Sequence, residues 1–83
     1  MYGIGAIVYV DYKEDDRAEF RFFAEVLGYD EDTERYTLDD VLVIHSASGD
    51  YELIENYKME SNNIKHDFKS LEEAKELAPH LFL

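Results

Sequence analysis

The sequence predicts an α+β domain with an antiparallel-dominated sheet of four to five strands and two helices, in the order β-α-β-β-β-β-α. Three observations carry this. Stretches of β-branched and aromatic residues recur with short turn signals between them. One internal and one C-terminal segment have helical spacing with helix-end residues. The chain has 83 residues, enough for one acidic domain over 1–83 and too few for two. Its apolar fraction of 46% belongs to a globular protein rather than a disordered acidic tail. Seven tyrosines and five phenylalanines supply large blocks of buriable area. They matter in a domain that buries only roughly 60–65% of the surface its unfolded chain exposes.

The first element is a strand over Ile4 to Tyr12 (IGAIVYVDY). Ile4, Ala6, Val8 and Val10 share one face and Ile7 and Tyr9 the other, so both faces are apolar and the strand is central. Asp15-Asp16 then offers a helix start, because an acidic residue there accepts from free N–H groups and suits the helix dipole. The period predicts a helix from Asp16 to Leu27, with Gly28 as its C-terminal stop. Phe20, Phe23, Ala24 and Leu27 cluster on one side of it. Phe22 and Val26 widen the apolar arc to roughly 200°, broader than the stripe one sheet requires. That width implies deeper burial, or a homodimer through Phe20, Phe22, Phe23 and Val26. A strand over the same residues is the weaker alternative, since Phe22-Phe23 breaks the alternation.

Tyr29 to Glu34 (YDEDTE) is an acidic loop, and a β-meander follows. Its strands are Glu34 to Leu38, Val41 to Ser46, Tyr51 to Lys58 and Ile64 to Phe68. Asp39-Asp40, residues 47–50 and residues 61–63 form the turns. In the last strand Ile64, His66 and Phe68 are expected on one face. Ser70 caps a second helix, with Glu73 three positions later in a capping box, and Pro79 ends it. The tail His80-Leu81-Phe82-Leu83 is too apolar to remain in solvent and is expected to dock.

Charge is the compositional outlier: twenty acids against eight bases give a net charge of −12. Such a field repels nucleic acid and anionic membrane and steers the chain toward basic partners. The distribution is uneven. Residues 11–19 carry five acids and two bases, residues 30–40 six and one, and residues 50–60 four and one, whereas residues 61–83 are nearly balanced at four and three. Acids two apart on a strand project from one face at about 6.6–6.8 Å, a spacing able to imitate a phosphate backbone before a basic groove. Acidity also serves solubility alone in many proteins. No cysteine is present, which excludes disulfides and thiolate chemistry and suits a reducing compartment. The start of the chain lacks a basic n-region and cleavage site, and its longest apolar run, Ile4 to Val10, is far below a membrane span of about 20 residues. The expected location is cytoplasmic.

The patterns of chemistry fail one by one. Asp30, Asp32 and Glu34 begin like a calcium loop, but the places that need Gly and Glu hold Arg35 and Val41. His45, His66 and His80 lack the short spacings of zinc sites, although His45 and His66 could meet across neighbouring strands. His66 and Asp67, adjacent on a strand, point to opposite faces and cannot cooperate. Ser46, Ser48, Ser61 and Ser70 lie in no nucleophile elbow, and Gly3 and Gly5 precede a strand rather than bridge strand to helix. The expectation is a protein without catalytic residues, metal or cofactor.

The segment Glu34 to Glu55, ERYTLDDVLVIHSASGDYELIE, resembles an acidic β-hairpin of small phage-encoded anti-CRISPR proteins. The shared features are a Tyr-Thr pair, an Asp-Asp turn, an aliphatic strand, a Ser/Gly turn and a Tyr-led return strand. The resemblance covers about a quarter of the chain. It implies an inhibitor, encoded by a phage or mobile element, that occupies the nucleic-acid-binding surface of a bacterial defence protein. The partner-binding residues would then be Asp30, Glu31, Asp32, Glu34, Asp39 and Asp40, with Tyr29 and Tyr36 as anchors. The rival from another class is a housekeeping interaction or homodimeric assembly module.

Overall fold

A computed structural model of the chain describes residues 1–15 and 18–83. It contains five strands: β1 (Ile7–Asp15), β2 (Ala18–Asp30), β3 (Arg35–Ser46), β4 (Tyr57–Glu60) and β5 (Ile64–Phe68). One α-helix, α1 (Leu71–Leu77), follows, and two 3₁₀ turns occupy Ser61–Asn63 and Pro79–Phe82. All strand pairs are antiparallel, in the spatial order β4-β3-β2-β1-β5. The predicted α+β class and antiparallel sheet are therefore present, with one α-helix instead of two among the described residues. Among the described residues no helix is long and apolar enough to cross a membrane.

The largest departure is the segment predicted as a first helix, which is the central strand β2. Its wide apolar arc had another cause: a strand covered on both faces is apolar on both. Phe22, Ala24 and Val26 join Val8, Val10 and Leu38 in one buried cluster, while Phe23 joins Tyr9 in a second. The Phe22-Phe23 pair thus reports two faces rather than a helical stripe. Phe22, Phe23 and Val26 are all buried, and they divide between the two clusters with half-buried Phe20 packed against the first. They form no common surface, so the homodimer contact expected through these four residues finds no support in the fold. Asp16, the expected helix start, lies outside the described residues. Asp15 accepts a hydrogen bond from the Ala18 N–H at 3.0 Å, tying the end of β1 to the start of β2. Gly28, expected as a helix stop, pairs with Thr37 where the β2–β3 register shifts, a usual place for glycine in a strand.

The sheet is rolled. β4 and β5 lie at opposite edges, yet only Ser61–Asn63 separates them along the chain. Five flat strands would set their edges about 19 Å apart, beyond the roughly 14 Å that three connecting residues span. The register shifts in β2–β3 and β1–β5 supply the bend, since each bulge increases local twist. The Ser61–Asn63 turn accordingly packs against β1. Inside the curve lies the larger cluster, reaching from Tyr57 and Met59 of β4 to Ile64 of β5.

The outer face is covered by the C-terminal segment. Ala74, Ala78 and Leu81 pack with Tyr9 and Phe23, and the Phe82 ring stacks on Phe23 with centroids 4.7 Å apart. The tail docks through Leu81 and Phe82, while His80 and Leu83 stay exposed. Ser70 caps α1 by accepting from the Glu73 N–H at 3.0 Å. The return bond of the expected capping box goes to the Lys69 N–H, which donates to Glu73 at 2.5 Å.

Three further expectations are corrected. The first strand begins at Ile7 rather than Ile4, because Gly5 at φ 88° turns the chain just before it. Ile64, His66 and Phe68 do not share a face. The β1–β5 register shifts between Tyr9 and Val10, so Ile64 enters the inner cluster and Phe68 the outer one. His45 and His66 cannot meet, since β2 and β1 stand between their strands.

Because Phe23 is fully buried at the centre of the outer cluster, Phe23→Ala should cost about 3–5 kcal/mol. Leu27→Ala, at a more exposed position of the same strand, should change stability by about 0.5 kcal/mol or less. Urea unfolding midpoints at unchanged slope check both.

Candidate functional site

The acids expected to meet a partner lie on the β2–β3 hairpin tip and along β3, and they differ sharply in availability. At the tip, Asp30 builds the turn. One carboxylate oxygen accepts from the Asp32 N–H at 3.0 Å and the Thr33 N–H at 3.4 Å, and the other accepts from Lys58 Nζ at 3.3 Å. The Lys58 ammonium, followed by the Asp32 N–H, holds the Asp30 carboxyl below the usual aspartate range. Glu31, Asp32 and Glu34 are exposed, Glu34 in the left-handed region at φ 55°. These three, rather than Asp30, are the tip's outward charges.

Tyr29 and Tyr36 form a tilted aromatic pair with centroids 4.7 Å apart, continued by Tyr2, also tilted, at 5.3 Å from Tyr36. Tyr36 is 3% exposed and its hydroxyl accepts from the Tyr2 N–H at 3.1 Å, so it anchors the core and presents nothing to a partner. Tyr29 is half-buried beside the tip. Its own partial burial, then Glu34 and neighbouring charges, raises its phenol pKa.

Asp39 and Asp40 form no turn. They continue β3, paired with Glu25 and Ala24. Asp40 is 7% exposed and is the one buried charged side chain among the described residues. Its carboxylate accepts from the Tyr51 hydroxyl at 2.6 Å, the Ile54 N–H at 3.0 Å and the Tyr57 hydroxyl. Asp39 accepts from the Asn56 N–H at 2.7 Å. The two acids therefore hold residues 51–57 against the sheet. A turn-forming pair is tolerated mid-strand because side chains and backbone from the following loop satisfy it. This also explains why the predicted strand Tyr51 to Lys58 shortens to β4: the chain up to Asn56 follows the carboxylates instead of a regular ladder.

The expected turn at residues 47–50 is present, and residues 51–56 are what the sequence missed. The Ser46 and Ser48 hydroxyls lie 3.0 Å apart and both donate to the Asp50 carbonyl, at 3.3 and 2.9 Å. Tyr51 then drops between Phe20 and Phe22, with centroids at 5.5 and 5.7 Å. Asp50, Glu52 and Glu55 remain exposed on this loop. The available signal was YELIE itself: apolar Leu53-Ile54 between acids has no strand alternation.

His66 leans on Tyr9 and Phe68 at ring distances of 6.2 and 6.4 Å. Among the described residues, no group of three His, Asp or Glu could hold a metal ion. A groove of about 540 Å³ lies between residues 3–6, the end of β5 and α1, apart from the expected acids.

Removing the Asp40 carboxylate strands three donors in a buried place. Asp40→Ala should cost about 3 kcal/mol, and Asp40→Asn less, since one oxygen still accepts. Denaturant unfolding with tyrosine fluorescence reads both.

Burial, then the Asp40 charge that accepts their protons, raises the Tyr51 and Tyr57 pKa values above the ordinary phenol range. A raised folded pKa means their contribution is fully present below the unfolded value of about 10 and is lost as pH climbs beyond it. Stability should fall steeply above pH about 10, and Tyr51→Phe/Tyr57→Phe should lessen that slope. Tyrosinate absorbance and urea midpoints against pH provide the check. Comparison with protein-family models, curated proteins and solved structures finds no match to this chain.

Proposed function

We propose that the chain is a non-enzymatic inhibitor of a nucleic-acid-binding bacterial protein, acting in the cytoplasm by presenting carboxylates to a basic cleft. An anti-CRISPR-like protein of phage or mobile-element origin is the form this takes. One observation carries the reading: the net charge of −12 is displayed rather than internally neutralised. Among the described acids only Asp40 is buried, and the ion pairs Lys58–Asp30 and Arg35–Glu60 each offset one of the others. A surface of this sign draws a cationic cleft from a distance and rejects nucleic acid itself.

Availability reorders the contact residues. Glu31, Asp32 and Glu34 at the hairpin tip lead, with half-buried Tyr29 beside them. Asp30, Asp39, Asp40 and Tyr36 shape the surface from behind.

The experiment is affinity capture from a bacterial lysate, followed by assay of whether the captured protein loses nucleic-acid binding. Affinity should fall with rising salt. The triple variant Glu31→Gln/Asp32→Asn/Glu34→Gln should bind about tenfold more weakly, from summed exposed-charge contributions. Binding that ignores salt and survives the triple variant rejects the proposal.

A further inference from the structure

We infer that residues 50–55 are a preformed docking element whose Leu53–Ile54 pair enters an apolar pocket, rimmed by Lys or Arg, on a partner protein. The sign of that rim rests on the proposed function; the apolar anchor stands on the loop geometry.

Leu53 and Ile54 are 53% and 49% exposed, adjacent large apolar side chains on a loop. Exposed single apolar residues are ordinary, but these two sit on backbone held from both sides. Ile54 donates its N–H to Asp40 at 3.0 Å, and its carbonyl accepts from the Asp40 N–H at 2.9 Å. Two residues later, Asn56 at φ 51° donates its N–H to Asp39. Two residues before Leu53, the Tyr51 ring lies against Phe20 and Phe22 and its hydroxyl reaches Asp40. The loop that buries Tyr51 thus fixes its two aliphatic neighbours outside the core. A pair presented on ordered backbone binds without the ordering loss of a flexible loop, and central apolar side chains within a polar rim dominate interface energies.

The occupant follows from charge. Asp50, Glu52 and Glu55 flank the pair, and residues 47–57 contain no Lys or Arg. A second copy would bring the same acids and another −12 charges against them, and an anionic bilayer or nucleic acid would be repelled likewise. A protein pocket that is apolar at its centre and basic at its rim complements both features.

The test uses the full chain. The protein it captures from a lysate of the encoding organism is purified, and its affinity is measured by calorimetry at two salt concentrations. Leu53→Ser/Ile54→Ser, with folding verified by circular dichroism, should weaken binding about thirtyfold or more. Glu52→Gln/Glu55→Gln should weaken it several-fold and flatten the salt dependence, while Leu27→Ser serves as an exposed apolar control. Salt-sensitive binding that ignores Leu53 and Ile54 overturns the docking element and leaves the acidic inhibitor standing. Binding lost in the Leu53/Ile54 variant but indifferent to salt overturns the basic rim, and the proposed function with it. A dimer in sedimentation that dissociates with the same variant, or no captured protein, overturns the inference.

Discussion

Adjacent side chains on a strand leave opposite faces of the sheet, so Phe22 and Phe23 commit β2 to burial on both sides. A five-stranded sheet in a chain of 83 residues has little material with which to meet that demand. The solution has two parts. On one side the sheet rolls, so that β4 and β5 approach across Ser61–Asn63 and the concave face closes around Phe22, Val26 and Leu38. On the other side, α1 and Pro79–Phe82 lie over Phe23 and Tyr9. The curvature, the short connection at 61–63 and the docked C-terminus all answer the same constraint.

Asp40 is the second constraint. A buried carboxylate without a cation is unfavourable unless donors surround it, and here two phenols and a backbone N–H do so. Those donors come from the 51–57 segment, which is thereby tied to β3 although it forms no regular ladder over 50–56. Tyr51 serves both needs at once, adding its ring to the inner cluster and its hydroxyl to Asp40. The fold's aromatic richness is thus partly a means of carrying an acid in its interior.

The sequence was legible wherever one physical demand acted on a segment. β5 appears over Ile64–Phe68 as expected, because turn residues and a helix cap bound it closely. The Ser70 cap and docked tail followed from local chemistry. Failure came where two demands overlapped. At β2, burial on both faces imitated the broad stripe of a buried helix, and only the neighbouring strands decide between them. At Asp39-Asp40, turn propensity lost to donors supplied from residues 51–57, a tertiary satisfaction that propensity cannot register. The expected partner-binding set mixed exposed Glu31, Asp32 and Glu34 with internal Asp40 and Tyr36, because acidity and aromaticity alone do not encode depth.

This division between internal and displayed acids also limits what the surface can be. If all the acids were solvated equally, −12 charges would form a diffuse field able to attract many cationic surfaces weakly. Instead Asp30 and Asp40 are engaged within the fold and Asp39 holds Asn56, while the 31–34 tip and the 50–55 loop each display three exposed acids. Those two elements lie against β3, the strand whose own acids hold the loop in place. A partner touching both would therefore bind a surface with fixed geometry as well as the right sign. Fixed geometry is what distinguishes selective recognition of one cleft from general attraction to basic protein, since charge alone sets encounter rate more than choice of partner.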